Sequence, residues 1–249
     1  MSSGLLRITS AAAALLLGGL LLVACESSQD KNARLKQQGA GLQEEKGVSV
    51  GQENPTVKVV EKSTITDANG TAVILRLNSS DPKDQVDVPV IFDLVDAGGE
   101  SLAGNSTPGL QRTLTHAMLV PARSKSWWVN DQVFATGKPK EVKVQVGKST
   151  TPLPKDLPDF KATPPKLETD PVDGLVAVGK VQNPTATEQR KILVTIVASK
   201  GGKPVAAGRG IVAKLKPSKA ARYSVFFIGN PKGADFDVAT APTTFEGAK

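Results

Sequence analysis

A repeated alternation of apolar and polar residues constrains the fold of this chain more than any other feature. One face of an extended segment would present Val86, Val88, Val90, Phe92 and Leu94. Side chains alternate between the two faces of a strand, so this period indicates a β-strand with one side in a core. The same period recurs near residues 73–77, 142–146, 192–196 and 223–227. Turn-forming sequences separate these segments, which predicts an all-β fold of antiparallel sandwiches.

Chain length and composition limit how such a fold can be stabilised. The chain has 249 residues, of which 4% are aromatic, and a single cysteine, Cys25. This length suits one large or two small domains. One cysteine excludes a disulfide within the chain, so each domain must depend on the burial of aliphatic side chains.

Changes in composition divide the chain into five segments. Residues 26–55 hold few apolar side chains and charges of both signs, which predicts a flexible tether, with a short helix as the alternative. Alternation occupies 56–147 and resumes over 167–249. Residues 148–166 contain five prolines, which predicts an extended linker at a domain boundary. We therefore expect two tandem β-sandwich domains after an N-terminal segment, 1–25.

The two halves of the chain resemble each other. Asn69-Gly70 matches Asp173-Gly174 at an offset near 104 residues, and the turn at 96–100 matches the turn at 199–203 at an offset of 103. The turn at 119–121 matches that at 215–217 at an offset of 96. The change in offset predicts an insertion of about seven residues in the first copy, around 105–116. Repeats of this size indicate duplicated domains.

The first copy resembles a known family. Its sequence Phe92-Asp93-Leu94-Val95-Asp96 is similar to the Phe-x-Leu-Tyr-Asp signature of the FxLYD group of bacterial Ig-like domains, with Val95 in place of the tyrosine. Other shared features are an Asn after the second strand, a glycine hairpin and a Leu-x-Pro turn, matched by Asn78, Asn183, Gly99, Gly202, 119–121 and 215–217. The second copy lacks the signature itself. The resemblance implies tandem Ig-like modules on an exported protein and no catalytic residues.

The N-terminal segment has the features of an export signal. One positive charge, Arg7, precedes an apolar run from Ile8 to Ala24 that ends in small residues. The run is slightly short for a membrane-spanning helix, which needs about 20 apolar residues. An ordinary signal peptide and an uncleaved anchor helix remain alternatives. An ordinary signal peptide would leave Cys25 as an unpaired thiol in an oxidising compartment.

The sequence at the end of this run resembles a bacterial lipobox. Leu22, Val23 and Ala24 precede Cys25 in the order typical of lipoprotein precursors. The resemblance implies that the sulfur of Cys25 receives a diacylglycerol and that cleavage occurs just before it. We therefore expect residues 1–25 to contain a lipoprotein signal peptide. The mature protein would be lipid-anchored on the extracytoplasmic side of the cell membrane.

Few residues suited to catalysis are present. The chain has one histidine, His116, which excludes a His-rich zinc site, and we expect His116 on the surface of the insertion. We expect the acidic clusters Asp81, Asp84, Asp87 and Asp235, Asp237 to be solvated turn or strand-edge residues. An unrecognised carboxylate pair of a hydrolase remains an alternative. The sequence predicts no enzyme, no metal site and no cofactor.

Positive charge suggests a binding surface in the second half. Between Gln189 and Ala234 there are ten basic residues and no acidic one. Such a patch attracts anionic polymers, although lysines also keep sheet edges soluble. The candidate binding residues are Lys200, Lys203, Arg209, Lys214, Lys216, Lys219 and Arg222.

Two adjacent tryptophans supply a second candidate. Neighbouring residues of a strand point to opposite faces. Trp127 aligns with Tyr223 of the second copy, so we expect Trp127 in the core and Trp128 pointing outward, toward a binding partner or the insertion. Taken together, these features predict a non-enzymatic binding or scaffolding lipoprotein of the cell envelope that contacts an envelope protein. Recognition of an anionic cell-wall polymer or glycan by the second domain is the alternative. An extracytoplasmic location makes a nucleic acid partner unexpected.

Overall fold

The described part of the chain is built almost wholly of antiparallel β-strands. The structure is a computed structural model that describes residues 47–171 and 174–245. Every strand pair within these residues is antiparallel, which confirms the predicted all-β class. These residues belong to one compact unit that begins at residue 45. We call residues 56–147 the first module and 161–245 the second module.

The first module consists of two sheets. Its elements are β1 (Val57–Asp67), β2 (Gly70–Ser79), β3 (Gln85–Val95), β4 (Ser101–Gly104), the helical turn α1 (Arg112–Thr115), β5 (His116–Val120), β6 (Lys125–Val133) and β7 (Glu141–Val146). One sheet has the strand order β1-β2-β6. In the other, β3 pairs with β4, β5 and β7.

The second module repeats this arrangement. Its elements are β8 (Lys161–Ala162), β9 (Lys166–Asp170), β10 (Gly174–Gln182), β11 (Gln189–Lys200), β12 (Lys203–Leu215), β13 (Ala220–Phe226), β14 (Ile228–Gly229) and β15 (Asp235–Pro242). One sheet contains β13, β10, β9 and β8, and the other has the order β14-β12-β11-β15. The single strand β12 pairs with β11 where, in the first module, the two strands β4 and β5 pair with β3.

Each pair of sheets encloses its own apolar core. The alternating face of β3 contributes Val88, Val90, Phe92 and Leu94 to the first core, which faces Val73, Leu75 and Leu77 of β2. Ile192, Val194 and Ile196 of β11 occupy the second core with Tyr223 and Val225 of β13. The period-two pattern therefore identified inward-facing residues in both halves, except Val86, which lies in a separate cluster with Leu193 and Phe245.

Backbone geometry also repeats between the modules. Gly70 and Gly174 have positive φ at the first residues of β2 and β10. Asp87 (φ 57°) and Lys191 (φ 52°) have positive φ at matching places in β3 and β11. The register is unbroken at both positions, because Val86 and Val88 pair with Leu119 and Ala117, two residues apart on each strand. Equivalent positions with left-handed backbone support the inferred duplication.

The two modules pack against each other through sheet faces. Ala72 and Ile74 of β2 and Val129 of β6 point away from the first core and contact Val197 and Ala207 of the second module. Consequently β2 and β11 are apolar on both faces, and Ile192 through Ala198 are all buried. The sheet β1-β2-β6 therefore rests on the sheet that contains β11 and β12.

The proline-rich segment and the end of the expected tether both contact the modules. Phe160 is buried in the second core, and Leu157 packs in a further cluster with Met118, Leu193 and Phe245. Glu53 forms a β-bridge with Gly147. The segment 148–166 is therefore packed against both modules instead of holding them apart.

Removal of Ile74 side-chain atoms tests the packing between modules. We expect Ile74→Ala to lower the free energy of unfolding by about 3 kcal/mol, because the vacated space lies between two sheets and cannot fill with water. Urea unfolding followed by circular dichroism measures the change. The exposed Ile211 is the matched control, and Ile211→Ala should change the value by less than about 0.5 kcal/mol. Equal small effects of both substitutions would contradict the packing.

Candidate functional site

A buried ion pair joins the two modules. Nε of Arg209 in β12 donates to Oδ1 of Asp131 in β6 at 2.9 Å, and the backbone N–H of Arg209 donates to Oδ2 at 2.8 Å. Nη1 of Arg209 also donates to the carbonyl oxygen of Thr113 at 3.0 Å. The side chains of Arg209 and Asp131 are only 6% and 14% exposed. Arg209 was a predicted surface binding residue, and this position is a correction: it is committed to the contact between modules.

Two glycines flank Arg209 and allow the strands around it to approach closely. A Cβ atom added to Gly208 would collide with the carbonyl oxygen of Phe226, and one added to Gly210 would collide with that of Ser224. β12 therefore lies directly against β13, where the two sheets of the second module meet. Glycine is therefore required on both sides of Arg209, because a side chain at position 208 or 210 would collide with β13.

Both tryptophans are oriented opposite to the prediction. Trp128 is 5% exposed and lies in the first core, with its ring 6.1 Å from that of Phe92 and its Nε1 donating to the carbonyl oxygen of His116. Trp127 lies at the contact between modules, where its Nε1 donates to Oδ2 of Asp237. The prediction was wrong because it assumed one core, whereas both faces of β6 are covered. A side chain buried as Trp128 is cannot stack on a partner.

A small crevice lies beside Trp127. Its volume is about 70 Å³, and it is lined by Met118, Ser126, Leu193 and Ala241 among others. The guanidinium of Arg76 lies 4.6 Å from the centre of the Trp127 ring, a cation–π contact. Within the described residues, Nε of Arg76 and Oγ of Ser126 are buried without a hydrogen-bond partner. A crevice of this size has room for several water molecules.

The insertion of the first module contains a buried polar cluster. Asp87 is 2% exposed, and its carboxylate accepts hydrogen bonds from Arg112 of α1 and from Oγ1 of Thr151. His116 is 8% exposed, and its Nδ1 lies 2.9 Å from Oγ1 of Thr115. Both positions correct the expectation of solvated residues. Asp87 has positive φ where β3 pairs with β5, and His116 is the first residue of β5, opposite Pro89 of β3.

Asp87 and His116 are both buried, but the surroundings favour the charged form of Asp87 and the neutral form of His116. Burial acts to raise the pKa of Asp87, but the hydrogen bonds from Arg112 and Thr151 outweigh it and lower the pKa below its usual value. Burial lowers the pKa of His116, although the negative charge of Asp87 acts in the opposite direction. The cluster therefore holds an ionised carboxylate and a neutral imidazole at neutral pH.

Several side chains hold α1 in place. Nδ2 of Asn105 and Nδ2 of Asn130 both donate to the carbonyl oxygen of Leu114, at 2.8 and 3.1 Å. Arg209 binds the adjacent carbonyl of Thr113 from the second module. The insertion therefore connects the two modules and the proline-rich segment. No pattern in the sequence of the insertion predicts this role.

The remaining basic candidates do not form one face. Lys200 and Lys203 lie opposite each other at one end of the β11–β12 hairpin. Lys214 pairs with Glu188, and Arg222 pairs with Glu168. Lys216 and Lys219 are exposed in the turn between β12 and β13, at the other end of β12.

Other predicted residues fall in turns or outside the described chain. Oδ1 of Asp84 accepts a hydrogen bond from Ala122 N, and Oδ2 of Asp81 accepts one from Gln85, beside a cavity of about 210 Å³. Asp235 is exposed. Within the described residues, no group of His, Cys, Asp and Glu could hold a metal ion, and no helix is long and apolar enough to cross a membrane. Cys25, Leu22, Val23 and Ala24 lie outside this part of the chain.

Comparison with models of protein families and with curated proteins gives no match. The two asparagines that carry the FxLYD resemblance differ in their burial. Asn183 is completely buried after β10, whereas Asn78 is half-buried and the adjacent Ser79 occupies the buried position. Ser79 and Asn183 make equivalent backbone hydrogen bonds, to Ser124 and Lys219 respectively.

The ion pair at the contact between modules is expected to contribute strongly to stability. Asp131→Ala leaves a buried guanidinium without its carboxylate, and we expect the free energy of unfolding to fall by about 3 kcal/mol. Combining Asp131→Leu with Arg209→Met should recover most of this loss. The exposed pair Arg222–Glu168 is the control, and Glu168→Ala should cost less than about 1 kcal/mol. A loss from Asp131→Ala as small as that from Glu168→Ala would contradict a buried pair.

His116 predicts a specific pH dependence. Its pKa is below the usual 6.5 in the folded state and near that value when unfolded. The unfolded chain therefore binds the proton first, and stability is lost as pH falls from about 6.5 toward the folded pKa. The free energy of unfolding, measured between pH 7.5 and pH 5, should decline in the parent chain and less steeply in His116→Gln. Equal slopes in the two chains would contradict the assignment.

Proposed function

We propose that this protein is a lipid-anchored, extracytoplasmic lipoprotein that acts as a non-enzymatic binding or scaffolding module of the cell envelope. The export signal and the lipobox-like sequence before Cys25 support the location. The FxLYD resemblance supports an Ig-like accessory role. Lipidation at Cys25 would place the body of the molecule next to the membrane, where weak contacts gain from high local concentration.

The observation that supports scaffolding best is the joined pair of modules. Apolar contacts between sheet faces and the Arg209–Asp131 ion pair hold the modules in one arrangement. Surfaces that belong to different modules are therefore presented at a fixed spacing. A partner that contacts both modules does not have to order them on binding, which reduces the entropic cost of association.

An exposed aromatic side chain offers a contact point for a partner protein. Phe134 follows β6 and is 81% exposed. It lies next to the small residues Ala135, Thr136 and Gly137. Exposed aromatic residues are frequent anchors of protein interfaces. We propose Phe134 in place of Trp128 as the aromatic contact residue.

A second candidate function is recognition of an anionic polymer by the second module. Lys216 and Lys219 are exposed and make no ion pair within the described residues. This observation favours a binding role for one end of the module, while Arg209 is excluded from it.

Cross-linking in the native envelope tests the scaffolding proposal. A photoreactive residue is placed at Phe134, and at Phe226, which is 42% exposed, as a control. We expect one dominant protein adduct from position 134 and none from position 226. Adducts that are equal at both positions, or absent from position 134, would contradict a protein partner at this loop.

A substitution at Cys25 tests the anchor separately. We expect Cys25→Ser to abolish incorporation of labelled fatty acid and to release the chain from the membrane fraction or leave an uncleaved precursor. Ser27→Ala is the control and should leave lipid labelling unchanged. Mass spectrometry of the mature N-terminus measures the outcome, and a free Cys25 thiol or an intact Met1 in the parent chain would refute the lipoprotein proposal.

A further inference from the structure

The basic residues of the second module converge on one of its ends. This end is formed by the loop between β10 and β11, the turn between β12 and β13, and the short strand β8. The pairing of β10 with β13 places Lys180 opposite Arg222, and the pairing of β11 with β12 places Arg190 opposite Lys214. We define the basic end as Lys161, Lys180, Arg190, Lys191, Lys214, Lys216, Lys219 and Arg222.

Positive charge exceeds negative charge at the basic end. Carboxylates pair with four of its eight members: Asp159 with Lys161, Glu168 with Arg222, and Glu188 with both Arg190 and Lys214. The other four members make no ion pair within the described residues, and all four are exposed: Lys180, Lys191, Lys216 and Lys219. Three carboxylates therefore face eight cations, which leaves an uncompensated positive field.

A buried asparagine fixes the backbone that presents two of these lysines. Nδ2 of Asn183 donates to the carbonyl oxygens of Leu215 and Lys216, at 3.1 and 3.2 Å, and to that of Thr187 at 2.8 Å. The backbone N–H of Asn183 donates to the carbonyl oxygen of Lys219 at 2.8 Å. The loop and the turn are thus joined by one side chain, and Lys216 and Lys219 leave a backbone that is ordered before any ligand binds.

Hydroxyl groups lie among the cations. Oγ1 of Thr185 and Oγ1 of Thr187 belong to the loop fixed by Asn183, and the backbone N–H of Ser218 donates to the carbonyl oxygen of Thr185. Ser218 has positive φ (52°), which turns the chain sharply between Lys216 and Lys219. These hydroxyls order the loop through hydrogen bonds within it, and the ammonium groups of the lysines supply the donors that match the oxygens of phosphate groups.

We propose that the basic end binds a linear polymer that bears repeated phosphate groups. Lysine is a point charge that suits phosphate, and several exposed lysines at one end of the module favour a ligand with many charges over a single ion. The inference deepens the second candidate function and rests on it, but it does not depend on lipidation of Cys25 or on a partner at Phe134. Lys200 and Lys203 belong to the opposite end of β12 and take no part.

Binding of inorganic polyphosphate to the purified full chain tests the proposal. The test variant is Lys216→Gln with Lys219→Gln, and the matched control is Lys200→Gln with Lys203→Gln, which removes the same charge from the other end of the module. We expect polyphosphate affinity, measured by fluorescence anisotropy, to fall roughly tenfold in the test variant and by less than about twofold in the control. Affinity in the parent chain should decrease as salt rises.

Several outcomes would overturn the proposal. Equal losses in the two variants would mean that net charge alone attracts the polymer. Tighter binding to polyglutamate than to polyphosphate would exclude phosphate as the recognised group, and no polyphosphate binding by the parent chain would exclude the site. Binding to vesicles of phosphatidylglycerol without binding to polyphosphate would identify a lipid surface instead. Unfolding midpoints of both variants should match that of the parent chain, since the exchanged side chains are exposed.

Discussion

The contact between two sheet faces determines most other features of this molecule. The sheet β1-β2-β6 packs on the sheet that contains β11 and β12, so its strands have a core on one side and a second module on the other. A charge buried at such a contact is costly unless it is paired. Asp131 and Arg209 meet this requirement, and the bonds of Arg209 to Asp131 and to Thr113 fix the modules in orientation as well as in distance.

The contact also explains what the sequence could and could not predict. Alternation identified the inward residues of β3 because the outer face of that strand is partly polar. The segments Ala72–Leu75 and Ile192–Ala198 do not alternate, and such continuous apolar runs are typical of strands buried on both faces. These runs indicate the packing between modules. A prediction that leaves this packing out assigns Trp127 to the core that Trp128 occupies.

The positions of two ion pairs could not be predicted from the local sequence. Asp87 and Arg112 are 25 residues apart, and Asp131 and Arg209 are 78 residues apart. Charged residues are usually exposed, so neither ion pair follows from composition or periodicity. The positive φ of Asp87 marks where the regular alternation of β3 is interrupted, with Val86 in one apolar cluster and Val88 in another. The equivalent Lys191 stays exposed, so duplicated backbone geometry has acquired different roles in the two modules.

The proposed functions use different parts of one body. A lipid at Cys25 would fix the molecule to a membrane, Phe134 extends from the first module, and the basic end belongs to the second. Because the modules are joined, a partner and a polymer bound at these places would be held at a set separation. The buried contact is thus the link between the fold and any scaffolding role.

The rigidity of the joined modules is the central claim, and a distance measurement between spin labels tests it most directly. With Cys25 replaced by serine, cysteines introduced at the exposed positions Thr136 and Lys200 carry one label in each module, outside the basic end. Pulsed electron paramagnetic resonance should give a single narrow distance distribution that is unchanged by polyphosphate. A broad distribution, or several separate distances, would show that the modules move independently and would contradict the account.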